Sequence, residues 1–254
     1  MGFVDKFSYR CLLGKFSSNI LDNNDLYSWK VHSKQDFTTS RQLTIDDLSY
    51  LKSICPANFH YLSEDNLSFL KQHFEISRVK NKCITLDITD LSLLGRDMKN
   101  VRYSVNRCSK NTFEFCDNYK DIKDIEKMIE EWSNDYTQSY FRDFSGKNTY
   151  FLRNNFHKDC INLFIYFGED LVAFGVLSPP INGSSTYIIG KALFKRFYGL
   201  SEFADIMLYK KAKEYGVSKV NMGRAPKNLL FYKSKFPGAE ENIEYDGKIL
   251  NVKI

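Results

Sequence analysis

The sequence predicts an α/β (α+β) protein of two lobes, with mixed, largely antiparallel sheets flanked by helices. Three observations predict it. The chain has 254 residues, 43% of them hydrophobic, enough to bury a sizeable core in two units of ordinary domain size. It holds 21 Phe and 16 Tyr against 13 Gly and 5 Pro, the composition of a strand- and helix-rich globule and not of a loop-rich or fibrous chain. Strand-like apolar runs alternate with amphipathic helical stretches throughout, and the local signals place the division at residues 1–110 and 111–254.

Thr44 followed by Ile45, Asp46 and Asp47 is a helix start, as is Ser63 followed by Glu64 and Asp65. In both, a hydroxyl can cap free N–H groups and the acids suit the positive helix end. A strand-like run, KCITLDI, follows at 82–88. After Gly95, the residues Met98, Val101, Val105 and Cys108 recur on one helical face. NTFEFCDNY then reads as a strand, and the stretch from Asp121 to Tyr136 as a second helix.

The second half is more sharply patterned. INLFIYF (161–167) and LVAFGVL (171–177), joined by Gly168, Glu169 and Asp170, form a hairpin by length and turn chemistry. The strand-like STYIIGKAL follows, then a helix from about Ser201 to Tyr215 stopped by Gly216, then the short strand KVNMG. Hairpin, strand, Gly-bearing turn, helix, strand resembles the order of a GNAT acyltransferase core, an order that other α+β folds also produce. In that arrangement the turn Arg196–Ser201, with Gly199, would offer backbone N–H groups to a donor's phosphates. The turn has a single glycine, which weighs against CoA as the donor.

The net charge of +5 is concentrated. Residues 78–110 carry eight basic and three acidic side chains, so this window alone accounts for it. On the predicted helix Arg96, Lys99, Asn106, Arg107 and Lys110 fall opposite the apolar face, with Arg102 at the border. Such a face is either a solvated surface or an anion site, because guanidinium forks and ammonium groups bind phosphate. Charge does not choose among nucleic acid, nucleotide and lipid headgroup. The six cysteines lack CxxC spacing and the four histidines supply no close ligand pairs, which points to reduced thiols and no metal. The first residues lack the continuous apolar run of a secretory signal, and no stretch approaches the ~20 residues of a spanning helix. A cytoplasmic protein is expected, with peripheral membrane association left open.

Three segments read together resemble the phosphatidylglycerol lysyltransferase C-terminal domain family: DITDLSLLGRDMKNVRYSVNR (87–107), EDLVAFGVL (169–177) and VNMGRAPKNLLFYKSKFPG (220–238). The similarity runs from about residue 60 to 240. It implies tandem GNAT-like lobes and transfer of an aminoacyl group from aminoacyl-tRNA to a lipid headgroup hydroxyl, with no cofactor. By motif, Gly95, Arg96, Lys99, Arg102, Asn106 and Arg107 correspond to the family's basic helix. Asn221, Gly223, Ala225 and Pro226, with Arg224 among them, correspond to its strand end, and Lys233, Lys235 and Phe236 to its terminal motif. STYIIGKALFKR lacks the relatives' acidic and basic strand residues, and the 226–231 segment is short, so the acceptor stays open between a lipid headgroup and another hydroxyl or amine.

An aminoacyl ester is already activated, so the protein must align a nucleophile, take its proton and stabilise an oxyanion. Glu202 is the candidate acid/base, with a helix-dipole carboxylate as the plainer alternative. Lys235 is the candidate for the oxyanion or the tRNA terminus, against a surface lysine beside Phe236. Asn221 is placed to orient the acceptor, and Arg102 and Lys99 to hold phosphate. Read as a strand, FYKSKF puts Lys233 and Lys235 on one face, where two ammonium groups would call for an anion between them. The basic helix is expected near the Gly199 turn. Two other functions remain: an acyl-CoA-dependent N-acyltransferase, and an inactive RNA- or headgroup-binding module on the same fold.

Overall fold

The computed structural model describes residues 21–23, 26–31, 34–39, 41–134, 149, 151–155, 157–224, 227–236 and 238–253. The chain forms two compact units. The first comprises residues 1–84, 224–230 and 241–254, and the second 85–223 and 231–240. The division therefore falls after Ile84 and not at 110/111, and the basic helix counts to the second unit.

In the first unit the strand order is β1 (Leu21–Asn23), β2 (Leu26–Val31), β3 (Lys34–Thr39), β4 (Ala57–Leu62), β11 (Ala239–Val252) and β5 (Phe74–Asp87). The β1–β2–β3 meander is antiparallel, β4 runs parallel to β3, and β11 pairs antiparallel with β4. Helix α1 (Leu48–Ser53) follows a 3₁₀ turn that Thr44 and Asp47 close as a capping box. Helix α2 (Glu64–His73) starts at Ser63, whose hydroxyl accepts from the Asn66 N–H at 3.3 Å. Their apolar faces join Leu26, Phe37, Phe59, Phe74, Tyr245 and Ile249 in one core. The last two of these arrive from the chain's far end, a pairing that no local pattern announces.

The second unit has the strand order β10 (Lys219–Arg224), β9 (Ser184–Ala192), β8 (Asp170–Leu177), β7 (Ile161–Phe167) and β6 (Glu114–Cys116). Strands β6 to β9 are antiparallel neighbours, and β10 runs parallel to β9. The hairpin and strand ends match the sequence expectation closely because β7 and β8 are buried almost throughout. Helix α3 (Lys99–Cys108) is the basic helix, helix α4 (Ile122–Asn134) buries Ile125, Met128, Ile129 and Trp132, and helix α5 (Leu200–Glu214) joins β9 to β10. The expected order of hairpin, strand, turn, helix and strand is present.

Two paired glycines bring α5 and a tyrosine onto this sheet. Gly175 on β8 lies opposite Gly190 on β9. A Cβ at Gly175 would stand 2.7 Å from Leu208 Cδ2 of α5. Beside it, Val176 pairs with Ile189 but Leu177 pairs with Tyr187, so β9 carries one extra residue, a bulge at Ile188. The bulge turns Tyr187 to the same face as Gly190, and the missing side chain there leaves room for the phenol.

The segment read as a strand from 231 to 236 is instead the end of helix α6 (Lys227–Ser234) and the turn after it. The expectation that Lys233 and Lys235 share a face is thereby overturned, since two helical steps separate them by about 200°. Ala225, Pro226 and the Arg224 side chain lie outside the described residues.

Candidate active site

Several candidate residues meet at the start of α5. Gly199 is the helix N-cap at φ +85°, a left-handed conformation that suits glycine. A Cβ there would lie 2.5 Å from Ser104 O of α3. This contact sets the basic helix against the Gly199 turn, as the sequence led us to expect. Glu202 and Asp205 follow three residues apart, on one side of the first turns.

Asp205 is a buried carboxylate in a stretch of α5 whose buried neighbours Phe203, Ala204, Ile206, Leu208 and Tyr209 are otherwise largely apolar. Its two oxygens are each occupied by a phenol: Tyr187 Oη donates to Oδ1 at 2.6 Å and Tyr232 Oη to Oδ2 at 2.8 Å. Burial raises its carboxyl, the two phenols and the Lys235 charge lower it, Glu202 raises it, and the balance stands at about 6. Both phenols are pushed well above their ordinary value, first by burial and then by the Asp205 charge.

Tyr232, fixed in this way, lies under Lys235, whose Nζ stands 4.0 Å from the ring centroid. The same ammonium donates to Glu202 Oε1. Glu202 and Lys235 are 18% and 28% exposed, so a substrate can reach the pair while water is partly excluded. The result is a chain of contacts from β9 and α5 through Tyr232 to a carboxylate–ammonium pair. Chemically, it offers a base beside a cation.

The structure joins Glu202 to Lys235 and gives the other candidates separate settings. Asn221 Oδ1 accepts from the Gly223 N–H at 2.7 Å, shaping the end of β10 where Gly223 has φ +66°. Lys233 is buried; its ammonium donates to Met222 O and, at 3.3 Å, to Gly223 O, so it clamps the same strand end. Arg102 Nη1 donates to Leu93 O at 2.5 Å and Gly95 O at 3.2 Å, bracing the turn before α3. Lys99, Asn106 and Arg107 are exposed on the face predicted for them, whereas Arg96 is exposed in the bend before α3, because the helix starts at Lys99 and not directly after Gly95. Cys108, on the buried side of α3, has its thiol pushed up to about 11 by burial and by the Glu202 charge, which keeps it protonated and a poor nucleophile. Among the described residues no group of three His, Cys, Asp or Glu is disposed to hold a metal, and no helix is long and apolar enough to cross a membrane.

Sequence reasoning missed Tyr187, Asp205 and Tyr232. One signal was available: an aspartate three residues after Glu202, at a position of α5 whose neighbours are apolar.

Solved structures of the same fold accompany this geometry. L-PGS from Bacillus licheniformis superposes with a TM-score of 0.67 at 16% identity, covering 94% of this chain and 84% of that one. The C-terminal domain of a putative lysylphosphatidylglycerol synthetase from Agrobacterium fabrum gives 0.69 at 12%, covering 96% and 87%. FemX gives 0.64 at 12%, covering 97% and 91%. At these identities the likeness is one of fold. No curated protein matches the sequence.

Fold and family match together define an acyltransferase-type α/β enzyme, with aminoacyl transfer as its general reaction. The chain belongs to the family described as phosphatidylglycerol lysyltransferase, C-terminal, whose model matches residues 50–243.

Proposed function

We propose that the protein moves an aminoacyl group from aminoacyl-tRNA to the hydroxyl of a lipid headgroup, or to another hydroxyl or amine acceptor, at the start of α5. The observation that carries this reading is the Glu202–Lys235 pair, partly open and held over the buried Asp205–tyrosine network. No cofactor enters the scheme. The acceptor oxygen or nitrogen attacks the ester carbonyl while Glu202 takes its proton. Lys235 then donates to the developing oxyanion, and collapse breaks the bond to the ribose oxygen, which recovers the proton from Glu202. Asp205 is a positioning residue: through Tyr232 it fixes the surface on which Lys235 rests. Family membership and the exposed basic helix support the RNA-borne donor, and a lipid acceptor would bring the protein to a membrane surface from the cytoplasmic side. We read the two units as tandem GNAT-like lobes, with the chemistry in the second.

The test is incubation with total charged tRNA and a cell lipid extract, followed by mass spectrometry. A new aminoacylated lipid or small molecule that depends on the charged tRNA is expected. Turnover with acyl-CoA but not with charged tRNA would overturn the donor assignment.

A further inference from the structure

Two exposed tyrosines stand beside this site with no part in it. Tyr103 on α3 and Tyr198 in the turn before α5 are each 57% exposed. Their centroids are 6.2 Å apart with the rings edge to face at 70°. The Arg107 guanidinium carbon lies 4.8 Å over the Tyr198 ring. Along α3, Lys99, Tyr103 and Arg107 follow at steps of four and so form one row on the surface. Arg96 and Lys110 are exposed near its two ends. This is cation, ring, cation along a helix, with a second ring set against it.

The platform is rigidly placed. Gly199 permits contact with Ser104 that no other residue would allow, and this contact brings Tyr198, its chain neighbour, against Tyr103. Glu202 follows in the first turn of the helix that Gly199 caps. The rings and the carboxylate of the proposed transfer site are thus carried by the same turn and helix start, four residues apart from Tyr198 to Glu202.

We propose that Tyr103 and Tyr198 form a stacking platform for unpaired nucleobases of a single-stranded RNA end, with Lys99, Arg107 and their basic neighbours neutralising its phosphates. The inference rests on the RNA-borne donor reading and deepens it. Charge complementarity selects a polyanion, and exposed rings interleaved with the cations select one that has π-faces to offer. A basic face alone would serve any polyanion. Stacked rings add a preference for unpaired bases over duplex, because bases in a duplex already stack on each other.

The full chain would be titrated by fluorescence anisotropy with a labelled single-stranded oligoribonucleotide, an abasic backbone of the same length, a blunt RNA duplex and phosphatidylglycerol vesicles, each over a salt series. The oligoribonucleotide is expected to bind tightest. Tyr103→Ala and Tyr198→Ala should each weaken its binding about 10-fold or more, the range for a lost base–ring stack, with the salt slope unchanged. Tyr198→Phe should restore binding, and Lys99→Ala should make the slope shallower by about 0.7 per lost phosphate contact. Tyrosine variants that bind the oligoribonucleotide like the parent overturn the proposal. So do losses equally large on the abasic backbone, or losses confined to the vesicles. Transfer from charged tRNA that is indifferent to both tyrosines would sink the platform and spare the donor reading. Tyrosine-dependent RNA binding with no transfer would do the reverse.

Discussion

Gly190→Ala is a small change with a large expected effect. The new Cβ would lie 1.7 Å from Tyr187 Oη and 2.6 Å from its Cζ, inside any allowed contact. The phenol must leave, and with it the 2.6 Å hydrogen bond to Asp205, a carboxylate that is 7% exposed. A hydrogen bond to a buried charged group contributes about 1.5–3 kcal/mol. Forcing extra volume into a packed region costs about 1–3 kcal/mol more. Since displacement relieves part of the overlap, we expect a net loss of about 2–4 kcal/mol in urea unfolding with an unchanged m-value. Tyr187→Ala removes the obstacle, so Gly190→Ala in that background should cost less than about 1 kcal/mol, in keeping with coupling between residues in direct contact. An alanine variant as stable as the parent, or strict additivity of the two changes, would refute the bulge-and-glycine argument.

Two further predictions concern groups away from the transfer chemistry. In the first unit His60 lies between Asp36 (Nε2 to Oδ1, 3.5 Å) and Asp246 (Nδ1 to Oδ1, 3.7 Å); burial lowers its pKa, but the two carboxylates outweigh that and hold it at about 9. Its contribution to stability is full below its ordinary value of 6.5 and is lost as pH rises toward 9, so unfolding midpoints should fall over that window and His60→Gln should flatten the fall. Arg102→Ala frees Leu93 O and Gly95 O and should cost about 1–2 kcal/mol in urea unfolding, whereas exposed Lys99→Ala should stay within about 0.5 kcal/mol; equal costs would return Arg102 to the phosphate-binding role.

The second unit was readable in the sequence where burial is two-sided or strictly amphipathic. INLFIYF, but for Asn162, and LVAFGVL are apolar runs because both faces of β7 and β8 are covered, and the basic face of α3 follows from its apolar periodicity. The 231–236 segment misled for a physical reason. Its lysines sit two residues apart between Tyr232 and Phe236, the period of a strand, but Lys233 is buried by donating to carbonyls, a partner that hydropathy does not register. The return of β11 beside β4 pairs residues nearly two hundred positions apart, so the division after Ile84 left no local trace. At the candidate site, the positions of Glu202, Lys235 and Gly199 were legible as a first-turn acid, a motif lysine and a turn glycine. Tyr187 was not, because its direction depends on one extra residue at Ile188, and a bulge that reverses a strand's alternation leaves the composition unchanged.

If the Glu202–Lys235 pair carries the transfer, single-turnover kinetics with a labelled aminoacyl-tRNA will register its loss in the chemical step. Lys235→Met keeps most of the aliphatic stem and deletes the charge, and Glu202→Gln keeps the shape and deletes the base. Each variant is expected to lower the rate of the chemical step about 100-fold or more, the magnitude of a lost oxyanion donor or general base, with donor affinity and unfolding midpoint close to those of the parent. Near-parental rates in either variant, or losses that appear only as weaker RNA binding, would contradict it.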